Sequence, residues 1–138
     1  MTPPTSFRAR SALAVVIGLA LMVMGVLHFV AVDAFVAVMP PYLPAHRELV
    51  WLSGIFELAL GAAAIVPRTR AHAGWGIALL LIAVFPANVH MAVEGIGLAG
   101  AEPPPSWVLW ARLPFQAVFI AAALWSTRAL ALVRRRTA

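Results

Sequence analysis

The chain has 138 residues, of which 63% are hydrophobic and only 11% charged, and its mean hydropathy is +0.94. This balance is unlike that of a soluble domain and predicts an integral membrane protein, so the net charge of +5 is better explained by topology than by a nucleic-acid partner. The chain has no cysteine, which excludes thiol, disulfide and iron–sulfur chemistry within it.

The first apolar segment, residues 11–32, follows a short lead rich in proline and arginine. It is longer than the apolar core of a signal peptide and lacks a convincing small-x-small cleavage site, so we expect an uncleaved transmembrane helix. Gly18 and Gly25 give this helix a small-residue face, and His28 lies one turn further along the same face. His28 is therefore expected to point into the bundle.

The following segment, residues 33–47, contains Pro40, Pro41 and Pro44. Three prolines in such a short stretch forbid a continuous helix and predict a stiff interfacial loop. Amphipathic aromatic side chains favour the headgroup level. The expected anchors of this loop are Phe35, Tyr42 and Trp51.

The second predicted span, residues 48–66, carries a single carboxylate, Glu57, near its centre. A helix of this length rises about 28 Å, roughly the thickness of the bilayer hydrocarbon, so Glu57 is expected near the midplane. An ionisable group there costs at least about 2.5 kcal/mol, and it normally faces the bundle interior. Gly54 and Gly61 share its face and allow close approach of another helix. Two interpretations stay open: a protonated glutamate that donates a structural hydrogen bond, or a functional group neutralised by Arg112.

The third predicted span, residues 71–93, places Pro86, Asn88 and His90 close together. Pro86 removes a backbone hydrogen bond, which predicts a kink and a carbonyl at Ile82 that needs a polar partner. Asn88 and His90 point to opposite faces of a regular helix. Either the kink turns one of them inward, or His90 lies at the interface.

The fourth predicted span, residues 107–127, follows a Gly-rich and then Pro-rich loop. Arg112 and Gln116 share one face of it, and Pro114 either kinks the helix or marks its restart. The four spans predict a single all-α domain over residues 1–138, a four-helix transmembrane bundle of the plasma (inner) membrane.

The distribution of charge predicts the orientation of this bundle. Eight of the ten arginines lie at the N-terminus, the second loop and the C-terminus, whereas four acidic residues lie beside the other two loops. Both termini are therefore expected to be cytoplasmic.

When depth along each span is calculated at about 1.5 Å per residue, polar groups from all four spans lie in the outer half of the bundle. This pattern predicts an outward-facing pocket. Its expected residues are His28, Glu57, Asn88, His90, Arg112 and Gln116. The sequence contains no closely spaced set of metal ligands, so no metal site is assigned. A quinone or another apolar ligand remains a candidate, with aromatic contacts from Phe56, Phe85 and Trp110, and so do purely structural polar contacts.

Five sequence motifs occur in order along nearly the whole chain: Gly-Val-Leu-His28-Phe, Met39-Pro-Pro-Tyr-Leu-Pro44, Ser53-Gly-Ile-Phe-Glu57, Phe85-Pro-Ala-Asn-Val-His-Met91 and Arg112-Leu-Pro-Phe-Gln116. Together they resemble the small four-helix DoxX-like membrane protein family. Matching positions are His28, Glu57, Asn88, Arg112 and Gln116. Relatives include a subunit of a thiosulfate to quinone oxidoreductase, MauE-type proteins for redox-enzyme maturation and a chaperone for nicotinic receptors.

The resemblance implies an accessory or ligand-binding subunit of a quinone-linked redox system, with quinone as the candidate ligand. The alternative it implies is a non-enzymatic assembly factor or chaperone for another membrane protein. Expected partners are the lipid bilayer and either a membrane protein or a second copy of the chain. The absence of cysteine departs from relatives that use thiols, and whether the chain is itself an enzyme stays open.

Overall fold

The computed structural model describes residues 5–98 and 102–136, and within them every regular element is helical. The helices are α1 (Thr5–Val30), α2 (Val32–Val36), α3 (His46–Ile65), α4 (Arg70–Glu94), α5 (Ser106–Ser126) and α6 (Leu130–Arg136). Four of them, α1, α3, α4 and α5, are long and apolar enough to cross a membrane. The predicted all-helical protein with four candidate transmembrane helices is confirmed. Large apolar side chains such as Val23, Leu79 and Phe119 remain exposed on the helices, as contact with lipid requires.

The last three predicted spans end within two residues of α3, α4 and α5. The first helix begins earlier than predicted, at Thr5, so that Arg8 and Arg10 are helical. Long arginine side chains can extend from a helix end towards water, so their charge does not stop the helix. Pro114 lies inside a continuous α5, and the alternative of a restart at this proline is therefore wrong.

The segment predicted to be a loop, residues 33–47, begins inside the short helix α2. Its Asp33 accepts a hydrogen bond from Nη2 of Arg47 at 2.5 Å, an exposed ion pair that contributes little stability. Further on, Val38 is buried in a cluster with Met91, Ala92 and Leu109. The segment thus packs against the ends of α4 and α5, and this end of the molecule is called the loop end.

Helices α1 and α3 meet through glycine, as their small-residue faces predict. A Cβ atom on Gly18 would lie 2.6 Å from the carbonyl oxygen of Gly61, and one on Gly25 would lie 2.9 Å from that of Gly54. The order of these pairs makes the helices antiparallel. Such close backbones allow side chains one turn away from the Gly25–Gly54 contact to reach across the interface.

The remaining interfaces are uneven. Helix α4 packs on both α3 and α5, with Ala64, Ala73, Ile77 and Ala123 forming a buried core. Helices α1 and α5 touch through fewer residues than α1 and α3 do. A space therefore remains between α1 and α5, at the open side of the bundle.

Contacts at the other end join the start of α4 to the start of α1 and to the residue before α6. Nη1 of Arg70 donates to Oγ of Ser11 at 3.1 Å, and Nε1 of Trp75 donates to the Ala129 carbonyl at 3.1 Å. Both ends of the described chain therefore lie at one end of the bundle, which is called the basic end.

Candidate functional site

A buried pair of polar side chains, His28 on α1 and Glu57 on α3, lies beside the glycine contact. Nδ1 of His28 is 2.9 Å from Oε2 of Glu57, and the two side chains are 10% and 13% exposed. The same nitrogen is 2.9 Å from the carbonyl oxygen of Met24. Of these two contacts, the one with the Met24 carbonyl has the alignment of a hydrogen bond. Oε2 of Glu57 consequently has no aligned hydrogen-bond donor among the described residues, although it touches the imidazole.

An aromatic ring covers this pair at the loop end. Phe35 of α2 stacks on His28 with ring centroids 3.9 Å apart and an interplanar angle of 23°. Phe35 is half-buried by this contact. Phe35, one of the three residues expected to anchor the loop at the headgroups, therefore shields the imidazole of His28 instead.

A second polar group links α4 and α5. Nδ2 of Asn88 donates to Oε1 of Gln116 at 2.9 Å, and Nη2 of Arg112 donates to Oδ1 of Asn88 at 3.3 Å. Nε2 of the buried Gln116 donates to the carbonyl of Leu81. A polar partner was expected for the carbonyl of Ile82, which Pro86 leaves without its helical hydrogen bond. In the structure Gln116 instead donates to the carbonyl one residue earlier, that of Leu81.

The two polar groups face one cavity of about 340 Å³ in the space between α1 and α5. Its polar lining consists of Glu57, Asn88, Arg112 and Gln116, and its apolar lining includes Leu21, Met24, Leu81, Phe115 and Phe119. A mostly apolar wall with a few convergent polar groups is typical of a small-molecule site.

The cavity opens sideways, between α1 and α5. Its boundary residues Met24, Phe115 and Phe119 are 38%, 58% and 59% exposed, and Ala20 is exposed as well. In a transmembrane bundle, this side wall contacts the acyl chains of the bilayer. An apolar molecule dissolved in the membrane thus has a path to Glu57 that avoids water.

Five of the six predicted site residues come together around this cavity. Four line it, and His28 lies directly behind Glu57. The sixth, His90, is half-buried on α4, lies outside the lining and makes no hydrogen bond to another described residue. Of the two side chains beyond Pro86, Asn88 is therefore the one that faces inward.

Of the two interpretations left open for Glu57, neutralisation by Arg112 is not what the structure shows. Within residues 5–98 and 102–136 the ion pair of Glu57 is formed with His28, not with Arg112, which donates to Asn88. The physical reason is the glycine contact, which brings α1 nearer to Glu57 than α5. Among the described residues, Glu57 forms no hydrogen bond with Asn88 or Gln116.

The aromatic lining also differs from the prediction. Phe56, Phe85 and Trp110 do not border the cavity, whereas Phe115 and Phe119 do. These two lie three and seven residues after Arg112, on its helix face, and this spacing was the signal that could have identified them. Among the described residues, no group of three or more metal-ligating side chains is positioned for a metal ion.

Residues 17–127 match a family model described as Domain of unknown function (DUF8561). The chain belongs to this family. The matched range begins within α1, ends just after α5 and contains every residue that lines the cavity. No curated protein and no solved structure matches the chain.

Proposed function

We propose that this chain is a DoxX-like protein of the plasma (inner) membrane that binds an amphipathic, quinone-like ligand in the cavity beside Glu57. It acts as an accessory or ligand-binding subunit of a quinone-linked redox system. The observation that carries this proposal is the cavity itself, which is open to the lipid and has its hydrogen-bonding groups on an otherwise apolar wall. The five motifs that resemble the DoxX-like family support it.

The polar lining suits the head of a quinone, which has two carbonyl oxygens that accept hydrogen bonds. Asn88 and Gln116 each use one amide N–H within the protein and keep a second, and the guanidinium of Arg112 has five N–H donors. The exposed rings of Phe115 and Phe119 leave room for an apolar tail between α1 and α5.

Reduction of a quinone to its quinol adds two electrons and two protons. In this proposal the electrons come from a partner redox enzyme, and the chain provides the binding site. Glu57 lines the cavity in contact with His28, so the pair is placed to pass a proton to a quinone oxygen.

The first test is mass spectrometry of the small molecules that copurify with the full chain in mild detergent. A bound quinone is expected in the wild type, and Ala20→Phe is expected to reduce it at least about tenfold, or about 1.4 kcal/mol, because the ring fills the open wall. Ala59→Phe is the matched control, since Ala59 is exposed on α3 and lies outside the cavity lining. A chain that purifies without ligand, together with another membrane protein or only as copies of itself, would contradict the ligand-binding role. The first of those results favours an assembly factor.

The proposed orientation places the basic end in the cytoplasm. Arg10, Arg70 and Arg128 gather at this end, whereas Asp33, Glu48 and Glu94 lie towards the loop end. Reporters fused after residue 138 and inserted within residues 67–71 should both give a cytoplasmic signal, and one inserted within residues 99–101 should give an external signal. An external signal at either of the first two positions would overturn the orientation.

A further inference from the structure

A second cavity, of about 440 Å³, lies at the basic end of the bundle, away from Glu57. It is formed by the start of α1, the α3–α4 turn and the junction of α5 with α6. The basic residues that line it are Arg10, Arg68, Arg70, Arg128 and His72. None of the five carboxylate residues of the chain lines it, so these four guanidinium groups share a space without a counter-ion from the described chain.

The arginines of this cavity differ in how many of their donors are already used. Arg70 donates from Nε to the Ala64 carbonyl and from Nη2 to the Ile65 carbonyl, both at 2.8 Å, so it closes the end of α3. Arg10 lies over the ring of Trp125, with Cζ 4.7 Å from the ring centroid. Its buried Nε–H, however, has no acceptor among the described residues.

Arg68 is the most available of these groups. It lies in the turn before α4, is exposed, and makes no hydrogen bond or ion pair within the described part of the chain. Arg10 and Arg68 thus present unused donors to one cavity from two different elements. Guanidinium groups form paired, charge-assisted hydrogen bonds with phosphate oxygens more readily than with most other ligands.

We propose that this cavity binds the phosphate group of an anionic phospholipid from the adjacent leaflet. The cavity lies where the transmembrane helices end, which is the level of the headgroups. Its lining also includes Phe7, Ala131 and Leu132, which give the start of an acyl chain an apolar surface. Basic pockets between transmembrane helices commonly bind anionic headgroups.

The experiment is native mass spectrometry of the full chain titrated with phosphatidylglycerol or with phosphatidylcholine of the same acyl chains. One phosphatidylglycerol should bind at least about tenfold more tightly than phosphatidylcholine. Arg68→Gln should remove most of this preference without lowering the melting temperature, because Arg68 has no intramolecular partner to lose. Arg10→Gln should act in the same direction.

Arg8→Gln is the matched control, since Arg8 is an exposed arginine at the same end that does not line the cavity. It should leave the lipid preference unchanged. If Arg8→Gln and Arg68→Gln lose the lipid preference equally, the preference comes from general surface charge and the proposed site is wrong. Unchanged binding in Arg68→Gln would also overturn it, whether or not Arg10→Gln folds. Displacement of the lipid by millimolar inorganic phosphate would show that the cavity prefers a soluble anion, which contradicts a lipid site.

Discussion

Gly61→Ala should strongly destabilise the bundle. The added Cβ would lie 2.6 Å from the backbone carbonyl oxygen of Gly18, 2.8 Å from Cγ of Met22 and 3.2 Å from its backbone nitrogen. Backbone atoms cannot move aside without separating α1 from α3, and that separation also disrupts the contact of His28 with Glu57. Overpacking of this kind costs about 1–3 kcal/mol and occasionally more, and we expect the upper end of this range. The measurement is the thermal unfolding midpoint in detergent.

Gly76→Ala provides the matched control for the glycine contact. Gly76 is a helical glycine on α4, but the three atoms nearest to its added Cβ all belong to the side chain of Leu60, which is flexible and can turn away. The same chemical change should therefore be mild at Gly76. Similar midpoints for the two variants would show that the α1–α3 glycine contact is not tight.

The second large effect is expected from separating His28 and Glu57. A double-mutant cycle with His28→Gln and Glu57→Gln should give a coupling free energy of at least about 1 kcal/mol, because the two side chains touch and are nearly buried. Each single variant leaves the other side chain without its partner in the bundle interior. The double variant should therefore lose less unfolding free energy than the sum of the two single losses. The measurement is again the unfolding free energy in detergent.

A parallel cycle with Glu57→Gln and Arg112→Gln is the control. Arg112 bonds to Asn88 and is not paired with Glu57, so these two changes should add within about 0.5 kcal/mol. Strong coupling to Arg112 together with additivity at His28 would contradict the pairing seen in the structure.

The four long apolar helices were predictable because each is an apolar run bounded by charged residues or prolines. The α1–α3 contact was predictable too, since Gly18 and Gly25 share one face and Gly54 and Gly61 share another. Shorter elements escaped this reasoning. Helix α2 has only five residues, too few for a hydropathy window to detect, and α6 lies in what reads as a basic tail.

The partners within the site were less predictable than its members. Depth along the membrane normal placed Glu57, Asn88, Arg112 and Gln116 near one another, and these four do line one cavity. Depth says nothing about which helices are neighbours or how far apart they lie. Arg112 was therefore kept as a possible partner of Glu57, whereas the glycine contact places His28 beside it.

The most direct test of the ligand site proposed at Glu57 is equilibrium binding of a short-chain ubiquinone analogue to the purified chain, measured by isothermal titration calorimetry. We expect one saturable site per chain, weakened at least about tenfold by Arg112→Gln. Arg47→Gln should leave the dissociation constant unchanged, because Arg47 is exposed at the loop end and pairs with Asp33. The absence of saturable binding, or equal dissociation constants in the wild type and both variants, would contradict the site.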